Sequence, residues 1–183
     1  MKNRIISCAL LLAFVVLALS SCGGKNTFET FFVSVKKFDT GKMESCISQD
    51  SSDYFETVKG YIDGLSEEQT EIVKTLYSYV GYAYKTEAAS DASSFDITLT
   101  YVDFYAIMNT VDENRAVGIG TASDYISEII NGGGLSSKYV KKADVTVYIA
   151  QDGKINLGNS TENKMLTYYL GFDVFLRWYS NQR

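Results

Sequence analysis

The sequence contains no histidine, and its 183 residues include only three cysteines. Without an imidazole the chain cannot build a Ser-His-Asp or Cys-His nucleophile, or a histidine-rich zinc site, and it loses the side chain that titrates nearest neutral pH. A carboxylate pair can still hydrolyse glycosides, but 22 acidic residues scattered along the chain single out no pair. Basic residues are the other shortage, 17 against those 22, for a net charge of −5. Phosphate affinity comes largely from Lys and Arg, and no basic aromatic stripe is present, so nucleic acid is not an expected partner.

What the chain has in place of charge at its start is a long apolar run. Lys2 and Arg4 are followed by Ile5 to Leu19 without an acidic interruption, the layout of a secretory signal. Those 15 residues fall short of the roughly 20 that a spanning helix needs. Leu19-Ser20-Ser21-Cys22 then resembles the bacterial lipobox, whose cysteine receives diacylglycerol after cleavage. The expectation is a signal peptide over 1–21, lipid on Cys22, and a short flexible tether over 22–26 ahead of one domain over 27–183. Two or more acyl chains anchor stably at about 0.8 kcal/mol per buried methylene, so the membrane is a partner through Cys22 and the domain stands outside the cytoplasm. Cleavage would remove two basic residues and no acidic one, leaving 162 residues with a charge of −7, enough for one compact core.

Cys8 leaves with the signal and Cys22 is acylated, so Cys46 is the remaining thiol and no internal disulfide is expected. Its setting, Met43-Glu44-Ser45-Cys46-Ile47, suits a small core residue. A reactive thiol or an intermolecular disulfide is the sharper alternative in an exported protein.

Periodicity divides the domain. Phe28, Phe31, Phe32, Val35 and Phe38 make one helical face, with Asn26 and Glu29 as a capping pair. A second short helix carries Met43, Cys46 and Ile47, and a third carries Tyr54, Phe55, Val58, Tyr61, Ile62 and Leu65. Ser66-Glu67-Glu68-Gln69 is a capping box opening a fourth through Ile72, Val73 and Leu76. From about Tyr79 the period becomes two: Val80, Tyr82 and Tyr84 share one face, and after a polar turn Phe95, Ile97, Leu99 and Tyr101 alternate as the hairpin partner. Asp103 caps an inserted helix with Phe104, Ile107, Met108 and Val111, and Tyr125, Ile126, Ile129 and Ile130 mark another. Val145, Val147 and Ile149 read as a strand that Asp152-Gly153 turns into a last strand through Ile155 and Leu157. A single C-terminal helix is expected over about 161–180, capped by Asn159 or Ser160 and apolar nearly all round, the pattern of a buried helix.

Several motifs are bland on inspection. Gly118-Ile119-Gly120 and the glycines at 132–134 neither follow a strand nor open a helix as phosphate loops do. Lys154 stands where a calcium loop needs an oxygen, and Glu67, Glu68 and Glu71 suit a helix first turn without further purpose. No metal or cofactor is expected.

Three passages resemble small bacterial lipoproteins whose domain of unknown function belongs to the nuclear-transport-factor-two-like superfamily: "TFETFFVSVKKFDTGKMESCIS", "FDITLTYVDFYAIMN" and "KKADVTVYIAQDGKINL". The last departs from the usual Asp-Gly-Lys-Trp, having Ile155 after Lys154. The resemblance implies a curved sheet wrapped around a long helix to form a cone-like domain with an open mouth. The expected fold is therefore α+β, with a curved antiparallel sheet of about four strands packed on N-terminal helices, a helical insertion between hairpins, and a C-terminal apolar helix.

Tyrosine is the conspicuous residue type. Tyr82, Tyr84 and Tyr101, with Leu99, form the candidate ligand site, since ring faces on a concave sheet suit an apolar or sugar-like ligand. Aromatic residues also fit strands for packing alone. The function these readings favour is a surface-anchored, non-catalytic binding module for a small ligand or an envelope protein. The alternatives are a pocket enzyme using Asp or Tyr as acid or base, and a structural homodimerisation module.

Overall fold

The computed structural model describes residues 23–132, Leu135 and 137–182. The signal and Cys22 lie outside the described residues. Helix α1 (Gly24–Lys37) opens the domain, followed by α2 (Thr40–Ser45), α3 (Ser52–Asp63) and α4 (Glu67–Ser78). Strands β1 (Gly81–Tyr84) and β2 (Ser94–Val102) lead into α5 (Phe104–Val117) and α6 (Ala122–Asn131). Strand β3 (Val140–Tyr148), α7 (Lys164–Leu170) and α8 (Val174–Ser180) complete the order. The fold is α+β, with a three-stranded antiparallel sheet ordered β1-β2-β3.

The expected caps that the structure keeps are those in which a side chain reaches an orphan amide. Ser66 Oγ accepts from Gln69 N at 3.1 Å, while Gln69 returns its Oε1 to Ser66 N at 2.9 Å. Asp103 accepts from Ala106 N at 3.1 Å. The pair expected at Asn26 and Glu29 is not used, because α1 begins at Gly24, inside the stretch read as tether. Close approach explains this: a Cβ on Gly24 would stand 2.6 Å from Ile149, so only glycine lets the helix start there.

Two further expectations change. The fourth strand shrinks to isolated bridges of Ile155, one antiparallel to Ile149 and one parallel to Ile47. The Asp152-Gly153 turn does form, with Gly153 at φ 75° and Ala150 N bonded to Lys154 O at 2.8 Å. Beyond it the backbone of Ile155 pairs with the α2–α3 connection, donating to Cys46 O and accepting from Ser48 N, both at 2.9 Å. Ile155 and Leu157 are both buried, so this segment is claimed by the core from two directions and cannot extend a ladder. The single C-terminal helix is two, split at Gly171, whose φ of 65° is left-handed. Its start also moves, because the buried Asn163 spends its amide on Tyr148 N (2.9 Å), Tyr148 O (2.8 Å) and Asn156 O (3.1 Å).

The core lies between the sheet and the helices. Phe28, Phe31, Phe32 and Val35 of α1 are buried, as are Phe95, Ile97 and Leu99 of β2 and Val145 and Val147 of β3. Each such side chain contributes roughly 1.5–3 kcal/mol on removal from water.

Candidate functional site

The tyrosine-lined face is present, but α1 fills it. Tyr82 stands opposite Leu99 and Tyr84 opposite Ile97. Phe28 meets Tyr82 at 5.0 Å and Phe95 at 5.2 Å, and Phe32 meets Tyr82 at 4.7 Å, all edge to face. Tyr84 lies edge-on to Tyr82 at 5.4 Å, donates its hydroxyl to Glu29 at 3.2 Å, and receives Lys25 Nζ 5.1 Å above its ring. Burial pushes both phenols up, assisted at Tyr84 by Tyr82 and Glu29. Leu99 is fully buried. The structure thus brings Tyr82, Tyr84 and Leu99 together beneath a helix.

Tyr101 sits two residues further along, where β2 ends, and belongs to a second aromatic group. Its ring centre is 4.3 Å from that of Tyr169, which meets Tyr168 at 5.3 Å, and Tyr168 stacks on Tyr105 at 5.5 Å. Tyr105 and Tyr168 are exposed. The hollow among them is only about 70 Å³, well below the roughly 300 Å³ at which small-molecule pockets begin.

A roomier cleft lies past the other end of the sheet, where the Asp152-Gly153 turn faces the α2–α3 connection. Its volume is about 400 Å³, and its walls include Ile47, Ser48, Gln49, Ser52 and Phe55. Charge surrounds this mixed lining: Glu44, Glu56, Asp152 and Lys154. A second hollow of about 280 Å³ shares Ser48, Gln49 and Asp152 with it. The walls are fixed to the fold by the Ile155 pairing above and by Ser51 Oγ donating to Asn156 Oδ1. Lys59 binds Glu44 at 3.1 Å and Glu56 at 3.6 Å, and the Glu44 hydrogen bond is the main reason its own pKa is raised.

Ser48 is the unusual member of this wall. It is 2% exposed, and its Oγ has no hydrogen-bond partner among the described residues. Leaving a buried hydroxyl in that state costs about 1–3 kcal/mol, and native proteins resolve it with an ordered water or a ligand group. Short polar residues between two helices carry no periodic signal, so Ser48 and Gln49 could not be singled out from sequence. The Asp-Gly turn that forms the opposite wall could.

Two carboxylates elsewhere are shifted, one by strand-face pairing and one by capping. Asp144 is held below the usual carboxylate range by hydrogen bonds from Lys85 and Thr98, and Asp124 by the backbone and hydroxyl of Thr121. A carboxyl kept protonated for general-acid work would move the other way. Burial pushes the Tyr179 phenol up to about 12. No group of His, Cys, Asp and Glu able to hold a metal ion occurs among the described residues, and none of their helices is long and apolar enough to cross a membrane. No protein-family model matches the chain, and no curated protein or solved structure matches it either.

Proposed function

We propose that this chain is an exported lipoprotein, anchored by lipid on Cys22 with its domain outside the cytoplasm, that binds a small polar molecule without transforming it. The observation that carries the binding reading is a cleft of about 400 Å³, mixed in polarity, whose wall includes Ser48, a residue with a buried hydroxyl that has no partner among the described residues. The anchor rests on Leu19-Ser20-Ser21-Cys22 after an uncharged apolar run. The cone-like family likeness and sheet curvature belong to the same proposal. A pocket enzyme using Asp or Tyr is the weaker alternative, favoured only if a carboxyl in the cleft proves to titrate high beside a phenol.

A thermal-shift screen of polar metabolites tests this reading, because a ligand of the folded state raises the midpoint by mass action. Ser48→Ala should raise the unliganded stability, by up to about 1–3 kcal/mol, since it deletes an unsatisfied buried hydroxyl and leaves no partner stranded. The same change should weaken the ligand about tenfold, the value of one hydrogen bond at a buried site. A ligand that shifts wild type and Ser48→Ala equally binds elsewhere, and that result would remove the cleft from the account.

A further inference from the structure

The alternation of hydrogen bonds fixes which backbone groups of β3 face outward. Ile149 N donates to Ser93 O and Asp103 N to Tyr139 O, and both pairs fall in the register that sets Ser94 against Tyr148 and Val102 against Val140. The odd-numbered residues of β3 therefore exchange hydrogen bonds with β2, and the even-numbered ones turn N–H and C=O to the far side. At Tyr148 that far side is occupied: the Asn163 amide takes both its N–H and its C=O, in the manner of a one-residue strand. At Lys142, Asp144 and Thr146 nothing among the described residues does so, and Lys142 and Asp144 are exposed. Among the described residues the sheet thus ends in an open edge that stops where Asn163 begins.

An open edge accepts another strand, and charge selects which one. The outward-facing even residues of one copy must meet the outward-facing even residues of the other. Antiparallel pairing about Ala143 sets Lys142 opposite Asp144 of the second copy, and Asp144 opposite its Lys142, with Val140 opposite Thr146. Moving the centre to Asp144 or Lys142 brings like charges face to face. Moving it to Val145 sets Lys142 against Tyr148, whose outward groups Asn163 already holds. Moving it to Lys141 sets that lysine against its own copy, so of these registers one fits, with the small Ala143 side chain at the two-fold axis. Asp144 already receives Lys85 at 2.7 Å and Thr98 at 2.9 Å, and a carboxylate has acceptor sites to spare for a further lysine.

We propose that the protein forms a two-fold homodimer by antiparallel pairing of β3 with β3 of a second copy about Ala143, joining the two sheets into one. This is independent of the ligand cleft.

Two experiments on the full chain in detergent test the pairing. At a non-hydrogen-bonded antiparallel pair the Cα atoms are about 4.5 Å apart, within disulfide reach. Ala143→Cys should therefore cross-link to its copy under mild oxidation in large excess over wild type, which controls for Cys46. Thr146→Cys should not, since the register places it about 20 Å from its counterpart at roughly 3.4 Å per residue. Analytical ultracentrifugation supplies the second test. Lys142→Asp alone and Asp144→Lys alone should each weaken self-association about tenfold through two like-charge pairs. Their equimolar mixture should recover the dimer, because both cross-strand pairs are again opposite in sign. That recovery demands folded partners, so it cannot be mimicked by damage to the fold. A monomeric wild-type chain, equal cross-linking at 143 and 146, or a mixture no better than its components would each overturn the proposal.

Discussion

Gly171→Ala is expected to lower the unfolding free energy by about 3 kcal/mol, read by urea denaturation. Two costs combine. A non-glycine residue held in the left-handed region costs about 1–2 kcal/mol, and Gly171 sits at φ 65°. Its new Cβ would also clash with the Phe104 ring, an overpacking of the kind that costs about 1–3 kcal/mol. Phe104 has little room to yield, because it stacks on Phe175 at 4.5 Å and lies 5.5 Å from Tyr77. A second change separates the terms: Phe104→Leu should recover part of the loss in the Gly171→Ala background by relieving the clash, while the backbone cost stays. A Gly171→Ala protein within about 0.5 kcal/mol of wild type, the range of an unremarkable surface change, would mean that the break between α7 and α8 is not enforced by this glycine.

Truncating Tyr77 should be still more damaging. The residue is fully buried, its ring contacts Phe38, Phe104 and Phe172 at 5.6, 5.5 and 5.8 Å, and its hydroxyl donates to Leu170 O at 2.7 Å. Tyr77→Ala empties an aromatic site and should cost about 3–5 kcal/mol. Tyr77→Phe keeps the ring but strands a buried carbonyl, for about 1–3 kcal/mol. The phenol adds a pH signature. Burial holds its pKa well above 10 in the folded state, whereas the unfolded chain ionises near 10. Above that pH the unfolded state binds fewer protons, so stability that is complete below about pH 10 declines as pH rises further. Tyr77→Phe should make the decline shallower in alkaline urea titrations. An unchanged slope would show that the decline comes from other tyrosines such as Tyr54, which burial also raises.

These two residues also show what could be read in advance. Tyr77 falls at the end of a helix that the Ser66 capping box announced, and most elements were legible in the same way, from caps and from periods of 3.6 or 2. Gly171 was not legible as a break, because the residues on both sides of it are apolar and a lone glycine in such a run does not reveal its φ. Ile155 and Leu157 have the alternation of a strand, but alternation records only that both are buried. Whether the intervening backbone pairs with a strand or with the α2–α3 connection depends on contacts across more than 100 residues of sequence. The candidate site was half legible for a related reason. Aromatic alternation in β1 and β2 marked one face of the sheet, yet it could not tell that Phe28 and Phe32 would pack against it. The cleft instead depends on Ser48, whose identity is ordinary and which is set apart by a buried hydroxyl without a partner among the described residues.

The central claim, a lipid-anchored binding module, is tested most directly by native mass spectrometry of the full chain extracted from membranes in mild detergent. The account predicts a polypeptide beginning at Cys22, heavier by its acyl groups, that carries a reproducible additional small-molecule mass in wild type and loses most of it in Ser48→Ala. A chain that retains residues 1–21, lacks acylation and carries no added mass would contradict both halves of the claim.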